Sequence, residues 1–470
     1  MAPKETTLGV VVGNRGFFPD HLVGSGRKEI LAVLAGAGLS VVCLSPDDTK
    51  FGAVETLDDA KKCAALFKRN ADKIDGVLVT LPNFGDERGV ADALRLAGLD
   101  VPVLIQAYPD DPAKMTLTDR RDSFCGKMSV CNNLTQYGID YSLTRLHTVS
   151  PSSPSFADDL AWFAAVCRVV RGLRGARIGA IGARPAAFKT VRFSEKLLEA
   201  SGIDVEVVDL SEILGKVAGL ADDDPAVTAR VDAVEGYVNA CDAPRQALTK
   251  IAKLCIVVDD WCEANAIDAT AFQCWTSIQE NLGICSCTTM SMMSDRLMPS
   301  ACEVDVMGAV AMYSLVLASG RPSALVDWNN NYGDDPDACV LFHCSNLPSS
   351  LLQDPKMSKQ DILAATVGRE NSWGTCVGLI KPGPMTYARL STDDTEGEIV
   401  GYVGEGKFTA ETVHSFGGYG VTRVPDLQGL LRFICRMGFE HHVAVNPSTV
   451  GRAIHEAWTN YLGWSIYQHG

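Results

Sequence analysis

The feature that most constrains the fold is a regular alternation of apolar and amphipathic segments over the first 110 residues. Apolar runs lie at 8–14, 39–45, 74–82 and 101–108, and amphipathic segments separate them at 28–38, 58–72 and 87–98. Strands that read as continuous apolar runs between helices are typical of a parallel sheet covered on both faces. The pattern predicts a Rossmann-like α/β domain over residues 1–147.

The same alternation restarts in the next part of the chain. Helices are predicted at 159–175 and 194–202, strands at 176–184 and 205–213, and long helices through 244–275. This predicts a second Rossmann-like domain over residues 148–319. The run IGAIGAR lacks the GxGxxG fingerprint, and GNRGFF lacks the Gly-Lys-Ser/Thr ending of a phosphate loop, so neither predicts a nucleotide site.

The pattern changes near residue 320. Short runs with period-two alternation follow, such as CVLFHCS, SWGTCVGLI and EIVGYVGEG, punctuated by Gly and Pro. They predict a β-rich, barrel-like C-terminal domain over residues 320–470, with a final helix at 449–463. The predicted fold class is therefore α/β: two tandem Rossmann-like parallel-sheet domains followed by a β-rich domain.

Charge and composition narrow the class of partner. The formal net charge of −15 disfavours nucleic acid and anionic membranes, both of which attract basic proteins. The N-terminal MAPKETTLGVVVGN does not resemble a signal peptide, and the 16 cysteines sit mostly in apolar runs, as expected of reduced thiols. These features predict a cytoplasmic location.

Three polar sites stand in apolar surroundings. Glu303 and Asp305 precede an apolar helix, Asp327 ends an apolar strand, and His441-His442 precede the run VAV. Each has a structural alternative: a helix cap, an Asx turn and a buried core histidine. One of two adjacent histidines in a strand must face inward. Taken together, two carboxylates and a histidine form the ligand set expected for Mn²⁺, Mg²⁺ or Co²⁺.

The segments around these residues resemble the L-fucose isomerase/L-arabinose isomerase family. The resemblance is carried by ACEVDVMGA, by VDWNNNYGDD with VLFHCSN, by EHHVAV and by DSFCGKMSVCNNLTQYG, in that family's order. It implies that Glu303 and Asp327 bind Mn²⁺ and transfer protons, and that His442 binds the metal. It leaves His343 two roles, a metal ligand as in the arabinose branch or a residue lining the pocket.

The resemblance also implies an activity. The protein would interconvert an open-chain aldose (L-fucose, L-arabinose, D-arabinose or a related sugar) and its ketose through a metal-stabilised enediolate. The family forms homo-oligomers, hexamers or trimers, with shared active sites, so residues of the first loop would reach a neighbouring subunit. Candidate sugar-contacting residues are Gln273, Trp275, Trp328, Asn329, His343, Trp373 and Tyr387, with Arg15, Phe17 and His21 in that loop.

Two other functions remain open at this stage. Tandem Rossmann-like lobes also occur in non-catalytic sugar-binding proteins, although those lack a third β-rich domain. A metal-dependent hydrolase or lyase acting on a modified sugar could use the same ligands. Metal-dependent turnover of an aldose distinguishes the isomerase from both.

Overall fold

The chain forms two compact units in the computed structural model, which describes residues 5–470. The N-terminal unit comprises residues 5–171 and 456–463, and the main unit comprises residues 172–455 and 464–470. Each of the three sequence ranges predicted above contains one β-sheet. The α/β class with two parallel sheets and a β-rich C-terminal part is confirmed.

The sheet of the N-terminal unit is parallel throughout and has the order β2-β1-β3-β4-β5. Its central strands are almost entirely buried because helices flank them, which explains their apolar sequences. Its strands are β1 (Thr7–Val12), β2 (Ser40–Cys43), β3 (Gly76–Leu81), β4 (Val103–Ala107) and β5 (Ser142–Leu143). Its helices are α1 (His21–Gly36), α2 (Leu57–Arg69), α3 (Glu87–Ala97), α4 (Ser123–Gln136) and α5 (Pro154–Leu173).

The main unit begins with a second parallel sheet, in the order β7-β6-β8-β9. Its strands are β6 (Arg177–Ile181), β7 (Asp204–Val208), β8 (Ala269–Phe272) and β9 (Ser300–Cys302). Its helices are α6 (Glu195–Ala200), α7 (Leu210–Gly219), α8 (Pro225–Tyr237), α9 (Arg245–Ala264), α10 (Ser277–Leu282), α11 (Cys287–Asp295) and α12 (Val306–Ser319).

Two predictions in this region are wrong in detail. The strand predicted over 205–213 ends at Val208, because Asp209 caps α7 by accepting a hydrogen bond from the Ser211 N–H at 2.7 Å. The helical stretch predicted through 275 ends at Ala264, and the fully buried strand β8 follows it. Pairing of β8 with β6 and β9 overrides the local pattern there.

The C-terminal strands form a closed ring. Its order is β16-β11-β10-β17-β14-β15, and β15 pairs with β16 to complete it. Strands β12 and β13 extend the sheet beside β16, and β18 extends it beside β15. The strands are β10 (Ala324–Asn331), β11 (Ala338–His343), β12 (Leu352–Lys359), β13 (Trp373–Ile380), β14 (Gly383–Asp393), β15 (Glu398–Phe408), β16 (Gly418–Arg423), β17 (His442–Asn446) and β18 (Ser465–His469).

Three helices accompany these strands: α13 (Asp361–Val367), α14 (Leu427–Met437) and α15 (Gly451–Glu456). The helix predicted over 449–463 is present over most of that range, but it does not close the chain. Helix α15 passes into a π-helical turn at Ala457–Tyr461, and β18 follows. That last strand pairs in parallel with β15, a long-range contact that local sequence does not encode.

Helix α12 packs against β8 and β9 on one side and against β14 and β17 on the other. Its sequence VMGAVAMYSLVLAS is apolar on every face, as expected of a helix enclosed by protein. Eleven of its residues are buried. The helix therefore joins the parallel sheet to the ring, and its N-terminus lies where the two meet.

Two further properties of the described chain concern membrane-spanning helices and disulfide bonds. Over residues 5–470, no helix has the length and apolarity needed to cross a membrane. All sixteen cysteines are free thiols. Packing and hydrogen bonding, rather than disulfide cross-links, therefore stabilise both units.

Candidate metal-binding and active site

Glu303 lies between β9 and α12, at the carboxyl end of a parallel strand, where α/β proteins commonly place functional groups. Glu303 and Val304 both have positive φ, 57° and 56°. This left-handed conformation is costly for side chains with a Cβ, and it directs the chain sharply from the strand into the helix. Glu303 is only 7% exposed.

Three neighbouring strands of the ring supply the other candidate ligands. Asp327 on β10 lies directly opposite His442 on β17 in their antiparallel pair. His343 is the last residue of β11, which pairs with β10 on its other edge. Directly opposed residues share one face of a sheet, so strand pairing brings together side chains that are 115 positions apart.

The side chains of these residues converge on the Nε2 atom of His442. This nitrogen lies 3.6 Å from Glu303 Oε2 and 3.5 Å from Asp327 Oδ1. His343 Nε2 lies 3.8 Å from the same Glu303 oxygen. Glu303, His343 and His442 form one group whose potential ligand atoms lie within 4.8 Å of one another, and Asp327, His441 and His442 form a second.

The hydrogen bonding of the two carboxylates fits a cation site. Glu303 Oε2 and Asp327 Oδ1 are buried, and neither has a hydrogen-bond partner among residues 5–470. Burying an unpaired carboxylate oxygen is expensive, and a cation between the two would compensate both. Carboxylate and imidazole ligands suit Mn²⁺, Mg²⁺ or another divalent ion. The residues present therefore fit the implied metal.

Asp305 orients His442. Its Oδ2 lies 2.8 Å from His442 Nδ1, and its Oδ1 accepts the Gly308 N–H at 2.8 Å as the N-cap of α12. With Nδ1 donating to the carboxylate, the lone pair of Nε2 faces Glu303 and Asp327. A carboxylate behind a histidine ligand is a recurrent arrangement in metal sites because it fixes the tautomer.

Asp305 is in turn held by a fully buried arginine. Arg389 on β14 donates to both Asp305 oxygens, at 2.5 and 3.1 Å, and to Glu440 at 3.0 Å. Ser391 adds a hydrogen bond to Glu440 at 2.8 Å. Burial would raise the pKa of Asp305, but the Arg389 charge and the His442 hydrogen bond outweigh it and hold that pKa well below its usual range. Asp305 is therefore a fixed anion.

The electrostatics of Glu303 also favour its charged form. Burial acts to raise its pKa, but the charges of His343 and His442, with the hydrogen bond from Trp275, bring the pKa below its usual range. Burial likewise opposes the charged form of His343, yet Cys344 and Glu303 raise the His343 pKa well above its usual value. Both shifts favour a positive charge beside Glu303, which a bound dication would also supply.

Of the predicted sugar-contacting residues, Trp275 contacts this cluster directly, and Gln273 supports a neighbouring loop. Trp275 follows β8, and its Nε1–H donates to Glu303 Oε1 at 3.1 Å. Gln273, at the end of the same strand, accepts the Ala183 N–H at 2.8 Å and braces the loop after β6. That loop carries Phe188, whose ring centroid lies 5.3 Å from that of His442 and 5.4 Å from that of His441.

Other predicted contacts lie elsewhere in the main unit. Trp328 donates to the Tyr402 hydroxyl at 3.0 Å, and its ring packs edge-on against Tyr387, which is fully buried. Because neighbouring residues of a strand alternate in direction, Trp328 faces away from Asp327. Asn329 is exposed on β10, and Trp373 lies beneath Lys359 with the Nζ 5.0 Å from its ring centroid.

The first-loop residues belong to the N-terminal unit. Arg15 pairs with Glu87, and its guanidinium lies 4.3 Å from the ring centroid of Phe84. Phe17 is 84% exposed, and His21 is the exposed first residue of α1. Their proposed contact with a neighbouring subunit stays a prediction.

The sequence predicts Asp305 only as a helix cap, and none of the sequence patterns above identifies Arg389, Glu440 or Phe188. One signal was available: Arg389 interrupts the otherwise apolar strand segment MTYARL, where an unpaired charge would be costly. The family resemblance selects His442 rather than His441 as the inward-facing histidine, and the burial of the two side chains agrees with this orientation. His442 is 1% exposed, whereas the side chain of His441 is about half exposed.

Comparison with known protein families finds a match to two domain models. Residues 9–174 match the family model described as the fucose/sulfoquinovose isomerase N-terminal domain, and residues 341–469 match the L-fucose isomerase C-terminal domain. The second range contains both His343 and His442. The two models together cover more than half of the chain.

Several curated relatives are named sulfoquinovose isomerase. The protein from Clostridium sp. (strain MSTE9) is 26% identical over 49% of this chain and 51% of its own length. That from Priestia aryabhattai is 24% identical over 58% of this chain and 59% of its own, and that from Alkalicoccus urumqiensis is 22% identical over 65% and 68%. The matched region thus spans about half to two thirds of these relatives. With matches to both domain models, this chain belongs to the fucose/sulfoquinovose isomerase family.

Proposed function

We propose that this protein is a divalent-metal-dependent aldose–ketose isomerase. The observation that carries the proposal is the convergence of Glu303, His343 and His442, with Asp327 on the other side of His442, around two buried carboxylate oxygens that have no hydrogen-bond partner among residues 5–470. Membership of the isomerase family supports the reaction class. We infer that His343, His442, Glu303 and Asp327 would hold the cation.

When bound, such a cation supplies Lewis-acid polarisation of the sugar carbonyl and makes the neighbouring C–H more acidic. The protein residues then have to move one proton between C2 and C1 of the open-chain sugar. Trp275 fixes Glu303 Oε1 and leaves Oε2 free, and Asp327 Oδ1 is the other free carboxylate oxygen. We assign Glu303 and Asp327 as the proton-transferring pair, an effect of about 10²–10⁴-fold in rate.

We expect aromatic side chains to exclude water from the site. Phe188 packs near His441, His442 and Trp275, with ring centroids 5.3–6.4 Å apart. A site with fewer waters strengthens the interaction of the carboxylates with the substrate and protects an enediolate from side reactions. The loop after β6 is therefore the proposed cover of the sugar.

The deciding experiment measures ketose formation from a panel of aldoses after metal removal and after addition of Mn²⁺, Mg²⁺ or Co²⁺. We expect turnover only with metal, and roughly a 100-fold or greater loss in Glu303→Gln and Asp327→Asn with folding retained. Glu398→Gln, at an exposed carboxylate on β15, serves as the control. Sugar binding without turnover in any metal state would favour a non-catalytic sugar-binding protein instead.

The charge of one loop near the site bears on the class of sugar that the protein would bind. The relatives are named for sulfoquinovose, whereas L-fucose and the arabinoses are neutral. The loop over 182–194 carries Arg184, Lys189 and Arg192 and no acidic residue, in a chain whose net charge is −15. We infer that a sugar with an anionic substituent is preferred, with Lys189, directly after Phe188, as its cationic contact.

Competition kinetics with sulfoquinovose, L-fucose and D-arabinose test this preference. Lys189→Ala should raise KM for the sulfonated sugar about 10-fold or more and leave neutral sugars unaffected, because only the former loses a charge-assisted hydrogen bond. Lys196→Ala, at an exposed lysine on α6, is the matched control. Equal effects on both sugar classes would argue against an anion contact at Lys189.

We also propose a homo-oligomer in which the loop of Arg15 and Phe17 serves a neighbouring subunit's site. A phenylalanine that is 84% exposed beside an anchored arginine is the kind of surface that a protein partner covers. Mass measurement by light scattering, with Phe17→Ser compared to wild type, tests this assembly. A wild-type monomer that is fully active would exclude it.

A further inference from the structure

Two buried thiols lie next to the candidate metal site but take no part in the proposed reaction. Cys302 is the last residue of β9, and Cys274 lies two residues beyond β8, the neighbouring parallel strand. They are 0% and 4% exposed. Strand pairing places Cys302 opposite Phe272, and Cys274 follows two residues later, at the end of the sheet that also presents Glu303.

The thiols and Glu303 form a third group of potential ligand atoms. Cys274 Sγ, Cys302 Sγ and a carboxylate oxygen of Glu303 lie within 4.8 Å of one another. Glu303 is an independent indication of a ligand, because its Oε2 is buried and has no hydrogen-bond partner in the described chain. A third thiol, Cys344, lies 3.7 Å from His343 Nδ1, so sulfur borders the cluster on two sides.

We propose that Cys274, Cys302 and Glu303 form a second cation site, selective for thiophilic divalent ions such as Zn²⁺, Cd²⁺ or Co²⁺, which shares Glu303 with the histidine cluster. Two thiolates and one carboxylate provide three of the four ligands of a tetrahedral zinc site, and water would be the fourth. Each thiol releases its proton to solvent when the ion binds. Mn²⁺ and Mg²⁺, which prefer oxygen and nitrogen ligands, would not use the sulfurs.

Sharing Glu303 makes the two sites competitive. One carboxylate cannot satisfy two dications fully, and ions bound so close together would repel each other strongly in a buried environment. Zinc also binds nitrogen, oxygen and sulfur ligands more tightly than manganese does. This consequence, displacement of the catalytic ion by a thiophilic one, rests on the proposed function, whereas the thiolate site itself does not.

The first test is spectroscopic and needs no activity. Metal-free full-length protein is titrated with Co²⁺, and thiolate-to-cobalt charge-transfer absorption is recorded. We expect the band in wild type and in Cys262→Ser, at a buried thiol on α9, and its loss in Cys274→Ser and Cys302→Ser, with thermal melts showing that each variant folds. If the serine variants unfold, Cys→Ala replaces them. Absence of the band in wild type, or its persistence in both variants, would overturn the proposal.

The second test measures competition. Mn²⁺-loaded protein is titrated with Cd²⁺ while free Mn²⁺ is followed by electron paramagnetic resonance. Wild type should release Mn²⁺ at a Cd²⁺ concentration roughly 10-fold or more below that needed for Cys302→Ser, because the variant lacks one thiolate ligand. Equal release from both would mean that Cd²⁺ simply enters the histidine cluster, which contradicts a sulfur site. The cobalt titration does not require Mn²⁺ at the histidine cluster, so a failure of the proposed function leaves that first test interpretable, whereas the competition test requires both proposals to hold.

Discussion

At Glu303 and Val304 the backbone has φ values of 57° and 56°, a conformation that costs roughly 1–3 kcal/mol for each residue with a Cβ. Two hydrogen bonds hold the turn: the Val304 N–H donates to Phe272 O at 3.2 Å, and the Asp305 N–H donates to Cys302 O at 2.9 Å. Such strain persists where surrounding structure determines it. Here it orients a carboxylate toward two histidines.

Asp305 gives the sharpest prediction for a single residue. Asp305→Asn should keep the cap of α12, since Asn caps nearly as well as Asp, but should remove the anion that faces His442 and Arg389. We expect Mn²⁺ affinity to fall by about 10–100-fold, as for other groups that orient metal ligands. Calorimetric titration of the folded variant measures it.

Asp209→Asn is the matched control for that substitution. Asp209 caps α7 in the same way, through the Ser211 N–H. The Asp209→Asn substitution should leave Mn²⁺ affinity unchanged. Unchanged affinity in a folded Asp305→Asn variant would instead show that the tautomer of His442 does not depend on Asp305.

At the scale of one element, the first turn of α12 has no room for another atom near the site. A Cβ at Gly308 would lie 2.6 Å from Asp305 Oδ2 and 3.0 Å from Leu325 Cδ1. We expect Gly308→Ala to destabilise the protein by about 1–3 kcal/mol and to weaken Mn²⁺ binding by displacing Asp305. Denaturant unfolding with and without Mn²⁺ measures both effects.

Gly215 in α7 provides the comparison for Gly308. A Cβ there meets nothing within 4 Å, and the residue lies inside a helix. Gly215→Ala should therefore be neutral or stabilising, by up to about 1 kcal/mol. If both alanine variants behaved alike, crowding at Asp305 would not be the cause of the Gly308 effect.

Helix α4 carries a buried cation that makes the N-terminal unit sensitive to pH. Lys127 is 1% exposed and donates to Thr144 Oγ1 at 2.7 Å and His147 O at 2.9 Å. Burial lowers its pKa to about 8. Between that pKa and the unfolded value of about 10.4, the unfolded chain binds more protons than the native one, so stability should rise with pH.

Lys127→Met should remove this dependence, which amounts to roughly 3 kcal/mol across the full window. Urea unfolding of the N-terminal unit at several pH values measures the slope. Lys114→Met, at a lysine whose side chain is 67% exposed, should retain the wild-type slope. A slope that survives in Lys127→Met would assign the effect to another group.

At the scale of the whole molecule, the candidate ligands come from two sheets of the main unit. Glu303 comes from the parallel sheet, whereas Asp327, His343 and His442 come from the ring. A cation that joins them should stabilise the main unit. At about 100 times its Kd, Mn²⁺ should add about 2.7 kcal/mol to the free energy of unfolding.

Hydrogen exchange locates that stabilisation. Mn²⁺ should slow exchange in peptides covering β9, the start of α12 and β17, and leave the sheet of the N-terminal unit unchanged. Glu303→Gln should lose the protection. Protection spread evenly over both units would contradict a site confined to the main unit.

The periodicity of the sequence determined the secondary-structure classes. Continuous apolar runs between amphipathic helices encode a buried parallel sheet, and period-two runs encode half-buried strands, because burial acts residue by residue along an element. The predicted α/β architecture with a β-rich C-terminal part follows from that local rule. Strand alternation predicts only that one of His441 and His442 faces inward, and the family resemblance selects His442.

What the tertiary structure alone decided is which distant residues meet. The pairing of Asp327 with His442, the ring closure between β15 and β16, and the burial of β8 depend on contacts between segments far apart in the sequence. The contacts that join Arg389, Asp305 and His442 are likewise not predicted by any local pattern, because the three residues lie on separate elements. Local propensity fixes each element, but long-range packing and strand register fix the chemistry between them.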